Sequence, residues 1–266
     1  MSGTHGWGVG VDGALGVQRV GELALLAERL GYNSFWFNVM GRSGDPIATL
    51  REALACTAEI EIGVGVLPLD AYPANEIAPQ LTAAGASTPR AIIGIAAGQI
   101  RDHALRVTRE ALATLRDALP HARLATAGYG PRVLELGGRT ADVVLGNWLT
   151  PERLRWVRQH IEAGAHAGER PAPPLYLYHR AARGSDAPTR LREELVAYRR
   201  YPVHQKHQAE MGNPDMIGVT ASNRDAIAAQ LVDYRQNCKI ILKPLPRAAM
   251  DLLEWRSLLE FFAPLP

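Results

Sequence analysis

A parallel (β/α)8 barrel, an α/β fold, is the architecture this sequence predicts. Short apolar runs rich in β-branched residues alternate with helix-type segments along the whole chain. Eight such runs occur, each followed by helical sequence, and the 266-residue length suits a barrel of roughly 250 residues. A doubly wound sheet of about six or seven strands is the structural alternative. With no linker, low-complexity stretch or internal repeat, residues 1–266 are expected to form a single barrel domain.

The first strand is expected at Trp7 to Val11, followed by an Asp12-Gly13 turn and a helix from Val17 to Leu30. Leu23, Leu26, Ala27 and Leu30 recur at three-four spacing, and Gly31 sits where a helix ends in the left-handed region. SFWFN (34–38) is strand two, and Asp45-Pro46 opens a helix running through Leu54 and Thr57. IEIGVGV (60–66) is strand three, 76–84 the third helix and RAIIGIAAG (90–98) strand four. The periodic segment Arg101 to Leu119 is helix four, ended by Pro120, and RLATAGYG (123–130) is strand five. DVVLGN (142–147) is strand six, with Thr150-Pro151 opening a helix towards Ala165. LYLYHRA (175–181) is strand seven. Helical sequence then covers 189–210 with an interruption at Pro202, and Asn223 caps a helix to Tyr234. KIILKP (239–244) is the eighth strand, and Met250 to Phe262 forms the closing helix.

Composition narrows the function. Lys and Arg total 29 against 27 Asp and Glu, and only Lys206, Lys239 and Lys243 are lysines. The arginines are interleaved with acids, so no nucleic-acid footprint is expected. Cys56 and Cys238 form no CxxC pair, which predicts neither a disulfide framework nor a zinc site. The N-terminal sequence lacks a signal pattern and no apolar run reaches membrane-span length, so a cytoplasmic protein without membrane contact is expected.

Gly8-Val9-Gly10-Val11-Asp12-Gly13 fits GxGxxG. That fingerprint needs a strand before its first glycine and an acid after the second strand, and here the chain has polar residues and Asn38. A glycine-bearing barrel strand is the preferred reading. In a barrel the active face is built at the C-terminal ends of the strands. Those ends are Val11-Asp12, Asn38-Val39, Gly65-Val66-Leu67, Ala97-Gly98-Gln99, Tyr129-Gly130, Asn147-Trp148, His179-Arg180 and Lys243-Pro244. Gly98 precedes a segment whose free N–H groups suit phosphate. His179 and Arg180 could meet a substrate anion, with His179 and Asn38 as weak catalytic candidates. His204 and His207 have metal-compatible spacing but no third ligand, so a solvated helix face and no metal is expected. Trp36 is expected in the core and Trp148, just past a strand end, in the pocket.

The stretch from Gly128 to Trp156, GYGPRVLELGGRTADVVLGNWLTPERLRW, resembles the luciferase-like monooxygenase superfamily, and within it the coenzyme F420 (deazaflavin) dependent oxidoreductases. The resemblance implies hydride transfer between F420 and a small organic substrate, with FMN-dependent oxygenation or non-catalytic ring binding as alternatives. It assigns Asn38, Gly65, Val66, Ala97, Gly98, Gln99, Tyr129 and Gly130 to cofactor, and Trp148 and Arg180 to the substrate pocket. It also implies a non-prolyl cis peptide at Gly65-Val66, leaning on the ring, and allows a homodimer. The chain departs from the family at the exit of strand two. Asn38-Val39-Met40-Gly41 replaces the usual acid–histidine pair, which removes the obvious proton donor. The compact length implies a cofactor side left open or covered by a partner.

Overall fold

The computed structural model describes residues 6–39, 44–221 and 223–264. Met40 and Gly41 of the strand-two exit lie outside the described residues, as do residues 1–5.

Strands β1 (Gly8–Asp12), β2 (Ser34–Asn38), β3 (Glu61–Pro68), β4 (Ala91–Ala96), β5 (Arg123–Ala127) and β6 (Val143–Asn147) pair in parallel, each with the next. They are joined by β7 (Leu175–Arg183) and by β9 (Lys239–Pro244), the eighth barrel strand. Pairing of β6 with β7, of β7 with β9 and of β9 with β1 closes the ring. The expected barrel is therefore present. A ninth strand, β8 (Val219–Ala221), was not expected; it pairs only with Ala181–Arg183, beyond the barrel wall.

The helices follow their capping chemistry. α1 (Val17–Arg29) ends before Gly31 at φ 78°. At α2 (Pro46–Cys56) the Asp45 carboxylate accepts from the N–H groups of Ile47 and Ala48 at 3.1 and 2.9 Å. α3 (Ala74–Ala83) precedes β4, and α4 (Ala104–Ala118) begins three residues later than the periodicity suggests, because His103 is left-handed at φ 59°. α5 (Pro131–Thr140) follows β5, and α6 (Pro151–Ala167) is capped by the Thr150 hydroxyl. After β7 come α7 (Ala187–Tyr198) and α8 (Pro202–Glu210); α9 (Arg224–Gln230) and α10 (Val232–Arg235) divide the helix expected up to Tyr234. α11 (Leu252–Phe262) is capped by Asp251.

Alternation along the strands fills the barrel in layers. Trp36, Ile92, Ala125, Leu145, Tyr176, Tyr178 and Ile241 pack together inside, so Trp36 is in the core as expected. The two tyrosines meet Trp36 at ring separations of 5.6 and 6.0 Å. Glycine makes room for these rings. A Cβ on Gly63 would lie 2.2 Å from the Trp36 ring, and one on Gly65 2.4 Å from the Tyr178 hydroxyl oxygen. Below this layer Glu61 meets Arg123 at 2.9 Å and accepts from Tyr176 at 2.9 Å, while Lys239 donates to the Tyr176 hydroxyl. That end is plugged; the other is open.

Candidate active site

A cavity of about 720 Å³ occupies the C-terminal mouth of the barrel. Its wall begins at β3, where the Gly65–Val66 peptide is cis, as the resemblance implies, and the pairing register with β4 shifts between Val64 and Leu67. Val66, Ala96, Ala97, Ile100, Leu105, Val133 and Leu145 make the lining largely apolar. Asn38, Gly65, Val66, Ala97, Gly98, Gln99, Tyr129, Gly130 and Arg180 all line it. Nine of the residues singled out from sequence are thus brought together.

Three expectations about strand-end residues need correction. His179 does not face the cavity: alternation along β7 sends Tyr178 and Arg180 inward and leaves His179 on the outer face, against Tyr234 with ring centroids 4.4 Å apart. There it is 2% exposed, and burial, with the Arg180 charge second, lowers its pKa to about 3. Such an imidazole stays neutral and structural. Trp148 is not a lining residue either; it is 1% exposed and packs with Leu195 and Ile217. Its backbone turns through φ 54° directly after β6, which a strand-end position in the sequence does not reveal. Gly98 lies in a tight turn at φ 67°, and the helix with free N–H groups begins only at Ala104. The helix start that faces the cavity is that of α5, where Gly130, Pro131, Arg132 and Val133 line the wall without a side-chain cap.

His204 and His207 are not on a solvated face. α8 folds over the mouth, and Tyr201, Pro202, Val203 and His204 close one side of the cavity. His204 Nδ1 meets the Tyr129 hydroxyl at 2.9 Å, while the His207 ring stacks on Tyr129 at 3.9 Å and its Nε2 meets the Trp148 carbonyl. Burial lowers both imidazoles to about 4. Among the described residues no group of three or more His, Cys, Asp or Glu side chains could hold a metal ion. Where the compact length implied a cofactor side left open or covered by a partner, the chain's own helix supplies part of the cover.

Sequence reading placed Asn147 and Lys243 at strand ends without giving either a role, and it passed over Tyr198; all three are polar residues of the wall. Lys243 Nζ donates to Asn38 Oδ1 at 3.0 Å. The Arg180 guanidinium donates to Asn147 Oδ1 and, at 2.8 Å, to the Tyr198 hydroxyl, and it lies 4.1 Å from the Trp148 ring centroid. Alternation was the available signal, because Lys243 shares a face with the interior residue Ile241 and Arg180 with Tyr178. Outside the mouth, Arg101 and Arg132 belong both to the cavity wall and to a groove of about 670 Å³ that also carries Arg106, Arg109 and Arg139.

An apolar chamber with cations at its back and an arginine-lined exit takes a small, largely apolar molecule bearing anionic groups. Residues 2–125 match the family model of the luciferase-like monooxygenases. A search of curated protein sequences returned no match. Among solved structures, an F420-dependent secondary alcohol dehydrogenase in complex with an F420-acetone adduct aligns with TM-score 0.75 at 15% identity, covering 97% of each chain. The coenzyme F420 dependent tetrahydromethanopterin reductase from Methanopyrus kandleri gives 0.69 at 14% identity, covering 96% of this chain and 99% of that one. The oxygenating constituent of 3,6-diketocamphane monooxygenase from Pseudomonas putida, in complex with FMN, gives 0.66 at 13%, covering 97% of each chain. These likenesses show the shared fold. No helix among the described residues is long and apolar enough to cross a membrane.

Proposed function

We propose that this protein transfers hydride between coenzyme F420 and a small organic substrate. The observation that carries the reading is the continuity of the mouth. One apolar chamber is bounded by Gly65–Val66 on one side and Tyr129–Gly130 on another, and it runs into the arginine groove through Arg101 and Arg132. A ring would rest against Val66, Ala97 and Leu145, and its phosphate-bearing side chain would lie by Gly98, Gln99 and Gly130 towards the arginines. A bound deazaflavin supplies the hydride chemistry; the chain supplies orientation, a dry wall and hydrogen-bond donors. Tyr198, Tyr201 and His204 restrict water from the α8 side.

FMN with molecular oxygen is the second reading, since the chamber fits either ring. Beyond Arg132 the groove also carries Arg106, Arg109 and Arg139, more cations than a single terminal phosphate requires, and this favours the cofactor with the more anionic side chain. The test is a fluorescence and absorbance titration of the purified protein with F420 and with FMN. F420 is expected to bind at least tenfold more tightly than FMN. The reverse order moves the assignment to the FMN branch, and saturation by neither ring overturns it.

A further inference from the structure

The exit of β2 carries Asn38-Val39 where the resemblance implies an acid–imidazole pair, and the place is not chemically empty. From β9, across β1, the Lys243 side chain reaches this strand exit and donates to Asn38 Oδ1 at 3.0 Å. Both groups line the cavity, as do Gly65 and Val66. Lys243 is 7% exposed, and its hydrogen-bond acceptor is a neutral amide rather than a carboxylate. A buried ammonium held this way keeps N–H bonds free for another acceptor.

The other lysine on that face makes the contrast. Lys239, at the opposite end of β9, is exposed and donates to the Tyr176 hydroxyl beside the Glu61–Arg123 pair. Among the described residues the longer-range anions acting on Lys243 are Asp12 on β1 and Glu194 on α7, with the Arg180 cation on β7 opposing them. Burial is the dominant influence, and it brings the ammonium down to about 8, a range in which an amine can both give and take a proton near neutral pH.

We propose that Lys243 is the catalytic acid and base of this enzyme, in the place of the missing imidazole, and that its substrate is a small carbonyl compound or the corresponding alcohol. This rests on the hydride-transfer reading above. In the reducing direction the carbonyl carbon gains the hydride that a reduced deazaflavin-class cofactor supplies, forming the new C–H bond. The C=O π pair moves to oxygen, one N–H bond of Lys243 breaks, and that proton forms the O–H bond. The products are the alcohol, the oxidised cofactor and a neutral amine, which regains its proton from solvent. Asn38 holds the ammonium in place through its Oδ1.

With three lysines in the chain, the proposal can be tested on the unmodified protein. In protein labelled with 13C and 15N lysine, the side-chain resonances are assigned with Lys206→Arg and Lys239→Arg and followed against pH, with and without saturating F420 or FMN. One resonance, that of Lys243, is expected to titrate near pH 8 and to move on ring binding. If a ring binds and the Lys243 resonance neither moves nor departs from an ordinary lysine, the proposal is overturned and the ring-binding reading survives. If neither ring binds, both are overturned.

Activity gives the second readout. Reoxidation of the bound, reduced ring by acetone, butanone or benzaldehyde without oxygen is expected to slow as pH rises through about 8. In Lys243→Met it is expected to slow by roughly a hundredfold, with ring affinity changed by less than about threefold. Lys243→Arg should be equally slow, because a guanidinium does not release its proton. Full activity in either variant, or no reoxidation of the wild type by any carbonyl, overturns the assignment. The resonance experiment decides the matter if Lys243→Met fails to fold.

Discussion

Both ends of the barrel interior carry buried or half-buried charges, and they differ in how those charges are answered. At the closed end Glu61, Arg123, Tyr176 and Lys239 form a continuous set with contacts of 2.9 to 3.1 Å. The loops around it are tied as well. Glu28 accepts from the N–H groups of Ala58, Glu59 and Ile60, and Arg90 donates to the carbonyls of Leu54, Thr57 and Ile60. At the open end Lys243 is held by an amide oxygen, and Arg180 by an amide and a phenol, with Glu194 only at 3.8 Å. Buried cations with neutral partners favour a ligand that brings negative charge or an oxygen acceptor. The closed end holds the barrel together, and the open end is arranged to receive something.

Removing an anion at the closed end tests this most severely. Glu61→Ala leaves Arg123 without its carboxylate, with both side chains more than two-thirds shielded from solvent. Loss of one partner of such a pair costs roughly 3 kcal/mol. Urea unfolding is expected to show that loss, with ring affinity unchanged within about twofold. A large loss of affinity in a folded Glu61→Ala protein would mean that the two ends are not independent.

Glycines at the two ends sharpen the comparison. Gly98 on the open face and Gly85 on the closed face are both left-handed, at φ 67° and 73°. A Cβ on Gly98 would lie 1.7 Å from Asp70 Oδ1, whereas one on Gly85 meets nothing within 4 Å. Gly98→Leu is therefore expected to displace the Asp70 segment into the cofactor wall and weaken ring binding at least a hundredfold, about 2.7 kcal/mol. Gly85→Leu should lower stability by about 1 kcal/mol from backbone strain alone and leave ring binding intact. Equal affinity losses would refute the map.

Much of this architecture is legible in the sequence, for physical reasons that also mark where legibility stops. Strands β2 and β9 and the starts of α2 and α6 could be placed because SFWFN and KIILKP are short apolar runs, and because Asp45-Pro46 and Thr150-Pro151 are capping pairs. The cavity wall followed from the rule that barrel strands end at the active face. The misplaced residues sit where one local dihedral redirects the chain. Trp148 turns away at φ 54°, and His103 delays α4 at φ 59°. β8 has three residues, too few for a periodic signal. Lys243 and His179 are different cases, because alternation within β9 and β7 could have turned the first inward and the second outward. The fold of α8 over Tyr129 joins residues 75 positions apart, and no local pattern announces such a contact.

The smallest effect expected is at the exit from the open end. Arg132 stands where the chamber meets the basic groove, at the start of α5. It is exposed there, so its attraction for an anionic side chain is screened by salt and is worth less than a buried contact. Arg132→Ala is expected to weaken F420 binding about threefold at low salt, a difference that shrinks as ionic strength rises, while binding of riboflavin, which lacks phosphate, stays the same. Ring titrations at two salt concentrations measure both. If the threefold loss persists at high salt or extends to riboflavin, Arg132 shapes the wall by packing, and the charge asymmetry between the two ends stops at Arg180 and Lys243 rather than continuing into the groove.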